Sequence, residues 1–268
     1  IPMAILKHLV ESFDSLWPTA SAESWDRPGL MLGNPQAKIS KALLSVDITS
    51  AVLDEVAAEE CQLLLAHHPM LLRPVHELGE QTGKGALVHQ AIKGDLAVFA
   101  AHTNADIAAG GVSESLALAL GLSSLRPLDD LTGHGQVGEI SEISLLDFAR
   151  KVARSVPATA AGIKVAGDPD RRVSRVALVA GAGDSFLPQA LSIGVDVFIT
   201  SALRHHPTQD FMEASAASGG PALIDIPHWA AEWPWLTSAT AELSRLHPDV
   251  EWAVSDLRTD PWDFTVVQ

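Results

Sequence analysis

The chain has 268 residues, 47% of them hydrophobic, enough to bury the core of one large domain or two modest ones. With 18 Lys+Arg against 33 Asp+Glu and no basic run, it lacks the positive footprint that nonspecific binding to nucleic acid or to an anionic membrane surface requires. Its one cysteine, Cys61, excludes an intrachain disulfide and any multi-cysteine zinc site, leaving His, Asp and Glu as metal ligands.

Residues 1–8 show no charged segment leading into an apolar run of secretory length, and no stretch of ~20 apolar residues occurs later, so a cytoplasmic protein is expected. Ile5, Leu6, Leu9, Val10, Phe13 and Leu16 recur at helical spacing until Trp17-Pro18 ends the helix. Residues 22–34 read as a polar connection into a short apolar run. Leu43 to Asp47 is a strand ending in a carboxylate, and Thr49 or Ser50 can cap a helix whose Val52, Leu53, Val56 and Ala57 share a face.

The run Leu63-Leu64-Leu65-Ala66 has no polar alternation, as in a parallel strand buried on both faces, and stops at His67-His68-Pro69. Ligand crevices of open α/β sheets lie beyond the carboxyl ends of the strands, so two imidazoles there can face one pocket; a surface turn with two solvated histidines is the alternative. A short helix around Ala86 to Ile92 follows, then the buried strand Leu96 to Ala101, which runs into His102-Thr103-Asn104-Ala105-Asp106. Beyond Gly110-Gly111 comes a helix carrying Val112, Leu116, Ala119 and Leu120.

From Leu122 to Asp170 the pattern weakens, with turns at Asp129-Asp130 and Gly133-His134-Gly135 and one helix from Leu145 to Val156. A domain change is placed near residue 125. A second β-α-β unit spans Val176 to Thr200, and its Gly181-Ala182-Gly183 turn reads as structural, because a phosphate-binding fingerprint would need a third glycine or a lysine. His205-His206-Pro207 falls in a loop opening a helix and is expected at the surface.

The strand Ala222 to Ile226 leads to Pro227-His228-Trp229-Ala230-Ala231-Glu232. Pro234 is placed in the first turn of the next helix, with Glu232 just ahead of it, so that His228 and Glu232 span a strand-to-helix turn. Trp229, Trp233 and Trp235 are expected to fill the seam between helix and sheet rather than to stack on a purine.

Three strands thus deliver His and carboxylate groups at their C-terminal ends: His67 and His68, His102 and Asp106, His228 and Glu232. Imidazoles and carboxylates without thiolates suit zinc, iron(II) or manganese. Six such groups exceed the needs of one ion, so two ions about 3.5 to 4 Å apart are the economical reading.

The segments AESWDRPGLMLGNP, LLLAHHPM, FAAHTNADIAAGGVSESLA and LIDIPHWAAEW, in this order, resemble the GTP cyclohydrolase 1 type 2 or NGG-one-interacting-factor-three-like family. VALVAGAGDSFLPQALSIGVDVFITSALRHH is similar to that family's second half. The resemblance implies two related α/β lobes with largely parallel or mixed sheets, residues 1–124 plus 222–268 forming one and 125–221 the other. It further implies a dinuclear metal centre at strand ends between the lobes, and a toroidal homohexamer.

By the same resemblance His67, His68, Asp106, His228 and Glu232 match the metal ligands. His102 falls on a histidine beside the metals and is assigned to their surroundings or to proton transfer. The chain departs from the family pattern at Ala231, usually threonine, at Pro234, and at Ser201, commonly glycine; these bear on local geometry and substrate contacts more than on metal binding. It also has no room for the ferredoxin-like insert of longer members. The expected function is metal-dependent hydrolysis of a nucleotide, GTP first, with a non-catalytic metal scaffold, store or sensor as the alternative.

Overall fold

The structure is a computed structural model in which residues 3–267 are described. Ile1 and Pro2, where the reading of the N-terminal stretch began, lie outside the described residues, as does Gln268. In chain order the elements are β1 (Ala4–Ile5), α1 (Leu6–Leu16), β2 (Gly29–Leu32), β3 (Lys38–Ile39), β4 (Lys41–Ser45), α2 (Ser50–Ala58), β5 (Leu63–Ala66), α3 (Gly83–Lys93) and β6 (Ala97–Ala100). Then come α4 (Thr103–Asp106), α5 (Val112–Ala119), β7 (Ser123–Pro127), β8 (Gln136–Ser144), α6 (Leu145–Ser155), β9 (Lys164–Ala166), β10 (Arg172–Ala182), α7 (Leu187–Ser192) and β11 (Val197–Ser201). The last are α8 (His205–Ser218), β12 (Ala222–Asp225), α9 (His228–Leu246) and β13 (Glu251–Val254).

The chain divides into two compact units, residues 1–108 with 236–259 and residues 109–235 with 260–268. In the first, a five-stranded sheet has the order β13-β4-β5-β6-β2. β13, β4, β5 and β6 run parallel and β2 is an antiparallel edge. Every residue of β5 and β6 is buried, which is why both read as unbroken apolar runs. Between these strands α2 starts at Thr49, whose hydroxyl accepts from Val52 N, and it buries Val52, Leu53 and Val56. On α1, Leu6, Leu9 and Phe13 are buried, and the Phe13 ring meets Phe99 of β6 edge-on at 4.9 Å.

In the second unit six strands have the order β7-β8-β10-β11-β12-β9. β10, β11 and β12 are parallel, while β8 and β9 run antiparallel to their neighbours. Leu128, Val137, Ala177, Val179, Leu187, Ala190, Phe198, Phe211 and Leu223 form one apolar cluster. Both units therefore carry a β-α-β-α-β run, from β4 to β6 and from β10 to β12, giving two α/β lobes with mixed sheets.

Three expectations are corrected. Residues 222–235 do not belong with the first lobe, because β12 pairs with β11 through Val197↔Ala222 to Thr200↔Asp225. The first unit regains the chain only at residue 236, and it ends at 108 rather than 124. The weakly patterned stretch after Leu122, read as turns and one helix, also holds the strands β7, the nine-residue β8 and β9, whose exposed positions blur the apolar pattern.

Pro234 does not open a helix. It lies inside α9, which already begins at His228, and Ala231 N bonds to Pro227 O at 3.0 Å in its first turn. An interior proline costs about 3 kcal/mol. Against that, Trp229, Ala230, Ala231, Trp235 and Leu236 are all buried, and each large apolar side chain removed from water is worth about 1.5–3 kcal/mol. Among the described residues no helix is long and apolar enough to cross a membrane.

Candidate metal centre

The parallel pairing of β4, β5 and β6 continues past the formal strand ends. His67 N bonds to Ser45 O (3.0 Å), His68 N to Val46 O (2.8 Å) and Ala101 N to Ala66 O (2.9 Å). Three polar segments are thereby held side by side: Asp47 after β4, His67 and His68 after β5, and His102 after β6. The turn after His102 is fixed by Asn104, fully buried, whose Oδ1 accepts from His102 N (2.9 Å) and whose Nδ2 donates to Trp17 O (2.8 Å).

Each of the three imidazoles is held by its Nδ1. His67 Nδ1–H donates to the Ala101 carbonyl (2.8 Å), His68 Nδ1–H to Asp47 Oδ1 (2.7 Å), and His102 Nδ1–H to Asp26 Oδ1 (2.7 Å). A carbonyl or carboxylate can only accept, so the proton sits on Nδ1 and the ligating lone pair on Nε2 of the neutral ring. The ring centroids lie 4.9 to 5.4 Å apart, and one ring nitrogen from each of the three lies within 4.8 Å of the others. Asp106, at the end of α4, places Oδ1 3.7 Å from His67 Nε2.

Asp26 is buried, and burial alone would raise its carboxyl. Its hydrogen bonds from His102 and from the hydroxyl (2.6 Å) and backbone N–H (3.0 Å) of Thr103 override that and hold it below the usual carboxylate range. Trp25, largely exposed, stands edge-on to His102 at 5.8 Å.

On the second unit the early start of α9 puts His228 and Glu232 one turn apart on one face, with Nε2 2.9 Å from Oε1. This replaces the expected span across a strand-to-helix turn. Glu232 is buried (3% exposed) against Gly181, where a Cβ would fall 2.4 Å from Glu232 Oε1 and 3.4 Å from His228 Nε2. Gly181 and Ala182 of the Gly-Ala-Gly sequence, expected as a tight turn, are the last two residues of β10, and the first glycine makes room for the carboxylate.

All six sequence-picked side chains follow the C-terminal ends of β5, β6 and β12, with β12 in a different sheet from the other two. The structure groups His67, His68, His102 and Asp106 on the first unit, and His228 with Glu232 on the second. Asp26 and Asp47 were not picked. Asp26 lies in the segment read as connection, and its only signal was membership of the resembling WDRPG stretch. Asp47 was legible as a strand-end carboxylate on the strand beside β5. Of the three tryptophans, Trp229 and Trp235 are buried and Trp233 is partly buried, while His205 and His206 are exposed. The nitrogen and oxygen donors fit a divalent ion of the zinc, iron or manganese kind: neutral Nε2 donors fixed by carbonyl or carboxylate partners, with carboxylates at hand.

The family model for Duf34/NIF3 (NGG1p interacting factor 3) matches residues 4–261. A Streptomyces coelicolor protein named GTP cyclohydrolase 1 type 2 homolog is 40% identical, over 97% of this chain and 94% of that protein. A Clostridium perfringens protein of the same name is 30% identical over 97% and 99%. The fold is shared with the solved Bacillus cereus protein related to NIF3, with a TM-score of 0.89 at 22% identity, covering 99% of this chain and 100% of that one. The chain belongs to the Duf34/NIF3 family.

Proposed function

We propose that the protein is a divalent-metal-dependent hydrolase acting on a nucleotide, with GTP the first substrate to test. Its metal ligands are His67, His68 and Asp106 on the first unit and His228 and Glu232 on the second, for two ions per chain. The observation that carries the reading is the group of three imidazoles, each tied at Nδ1 and each offering a nitrogen within 4.8 Å of the others. The name borne by the relatives directs the choice of GTP. When bound, the ions would supply Lewis-acid charge that draws a phosphorylated substrate to this acidic chain and acidifies water toward neutral pKa.

His102 is the group that moves the proton. Asp26 accepts from its Nδ1–H, so Nε2 is the atom that takes a proton from water and returns it to the leaving group, and Asp26 stabilises the imidazolium in between. Loss of such an acid/base costs about 10² to 10⁴ in rate. His102→Ala is therefore expected to lose turnover while keeping much of its metal. Turnover of GTP, other nucleotides and phosphoesters by metal-loaded protein, measured against a chelated control, tests the proposal. No turnover above that control would replace it with a non-catalytic metal-binding role. We further propose a homohexamer in the cytoplasm; light scattering that finds a stable monomer at micromolar concentration would remove the assembly.

A further inference from the structure

Two of the imidazoles are supported by the same three-part arrangement, built from different stretches of chain. At His102, Asp26 Oδ1 accepts from the ring and Asp26 Oδ2 accepts from the Thr103 hydroxyl at 2.6 Å. At His68, Asp47 Oδ1 accepts from the ring at 2.7 Å and Asp47 Oδ2 accepts from the Thr259 hydroxyl at 2.5 Å. Thr103 is the immediate neighbour of the histidine it serves. Thr259 is 212 positions from Asp47, on the segment after β13, which is also fastened where the Ser255 hydroxyl donates to Glu55 Oε2 at 2.5 Å.

We infer that Thr259, acting through Asp47, is a positioning residue for His68, so that the segment after β13 sets the ring orientation and tautomer of a metal-binding histidine. A carboxylate with one acceptor oxygen pointed at an imidazole can swing about its Cβ–Cγ bond. Tying the other oxygen to a hydroxyl removes that freedom and fixes the line along which Nδ1–H must point. Nε2 is then committed to the opposite side of the ring, as a lone pair. Partners of this kind, one step behind a ligand, typically change metal affinity about 10- to 100-fold. The inference rests on the ligand assignment of His68 made above, but the tautomer it requires exists with or without metal.

The test is ¹⁵N-histidine NMR of the metal-free protein together with zinc affinity by chelator competition, on wild type, Thr259→Val, Thr259→Ser, Asp47→Asn and Ser255→Ala. Wild-type His68 is expected to show a protonated Nδ1 and an unprotonated Nε2. Thr259→Val and Asp47→Asn should broaden or shift that pattern and weaken zinc binding about 10-fold or more. Thr259→Ser should restore both, and Ser255→Ala, which leaves the Asp47 hydroxyl partner in place, should change neither. A wild-type His68 protonated at Nε2 would overturn the inference whatever the variants do, including any that fail to fold. So would a Thr259→Val protein with wild-type tautomer and affinity, or a Ser255→Ala protein as impaired as Thr259→Val. Wild type that binds no zinc defeats the ligand assignment instead, and the tautomer measurement then decides the positioning role alone.

Discussion

Gly181 leaves open the space in which Glu232 places its carboxylate: a Cβ there would lie 2.4 Å from Oε1, and the residue holds φ at +77°. Gly181→Ala meets both a strained backbone and an occupied position. Left-handed strain alone costs about 1–3 kcal/mol. The variant is expected to unfold at lower urea concentration and to hold less metal than wild type. Metal content unchanged from wild type would show that Glu232 has room to move and that Gly181 does not set its place.

Asp106→Ala should remove most of the bound metal while leaving the fold intact, because Asp106 ends α4 with its side chain beside His67 rather than in an apolar cluster. Elemental analysis of purified wild type and variant reads this directly. Two equivalents retained in the variant would take Asp106 out of the ligand set.

Phe99 is buried on β6 and meets Phe13 of α1 edge-on. Phe99→Ala opens a cavity that the surrounding Leu-rich sheet cannot fill, for a loss of about 3–5 kcal/mol, whereas Thr49→Ala removes a single helix cap for about 1 kcal/mol. Urea titrations of the two variants should rank in that order.

His247 is partly buried, and burial pushes its imidazole below the ordinary 6.5, with Asp249 opposing. The folded state therefore prefers the neutral ring, and the unfolded chain takes up the proton first as pH falls. The stability that neutral His247 contributes is complete above about 6.5 and is lost as pH drops through that value toward the lower folded one. His247→Gln should accordingly show a shallower fall in urea midpoint between pH 7.5 and about 5.5 than wild type does. Parallel curves for the two proteins would assign the acid sensitivity to other groups.

What could be read in the sequence followed from burial on two faces. Leu63 to Ala66 and Ala97 to Ala100 are surrounded by apolar neighbours and so are uninterrupted in the sequence. The polar residues at their ends, His67, His68 and His102, stand out for that reason. Asp47 is visible as a strand-end carboxylate and Asp26 is not, but the partner of neither is legible, because pairings with an imidazole across 76 or 21 positions leave no local mark. The lobe boundary was misplaced on the same ground. The Ala222 to Asp225 strand is apolar enough for either sheet, and only its hydrogen bonds to β11 assign it. At Pro234 a sound local rule gave way to packing, since the helix keeps its course by burying Trp229, Trp235 and Leu236.

β13 reaches its place beside β4 only after more than two hundred intervening residues, with Glu251↔Lys41 and Val254↔Leu44 as partners. During synthesis, β4, β5 and β6 can therefore pair with one another while β4 still presents a bare, apolar edge to the surroundings. That edge is the kind that recruits strands from other nascent chains. The later-made segment from Glu251 to Thr259 both closes this edge and brings Thr259 to Asp47, so a chain stalled before Glu251 would be at once prone to aggregate and without the hydroxyl that holds the carboxylate behind His68.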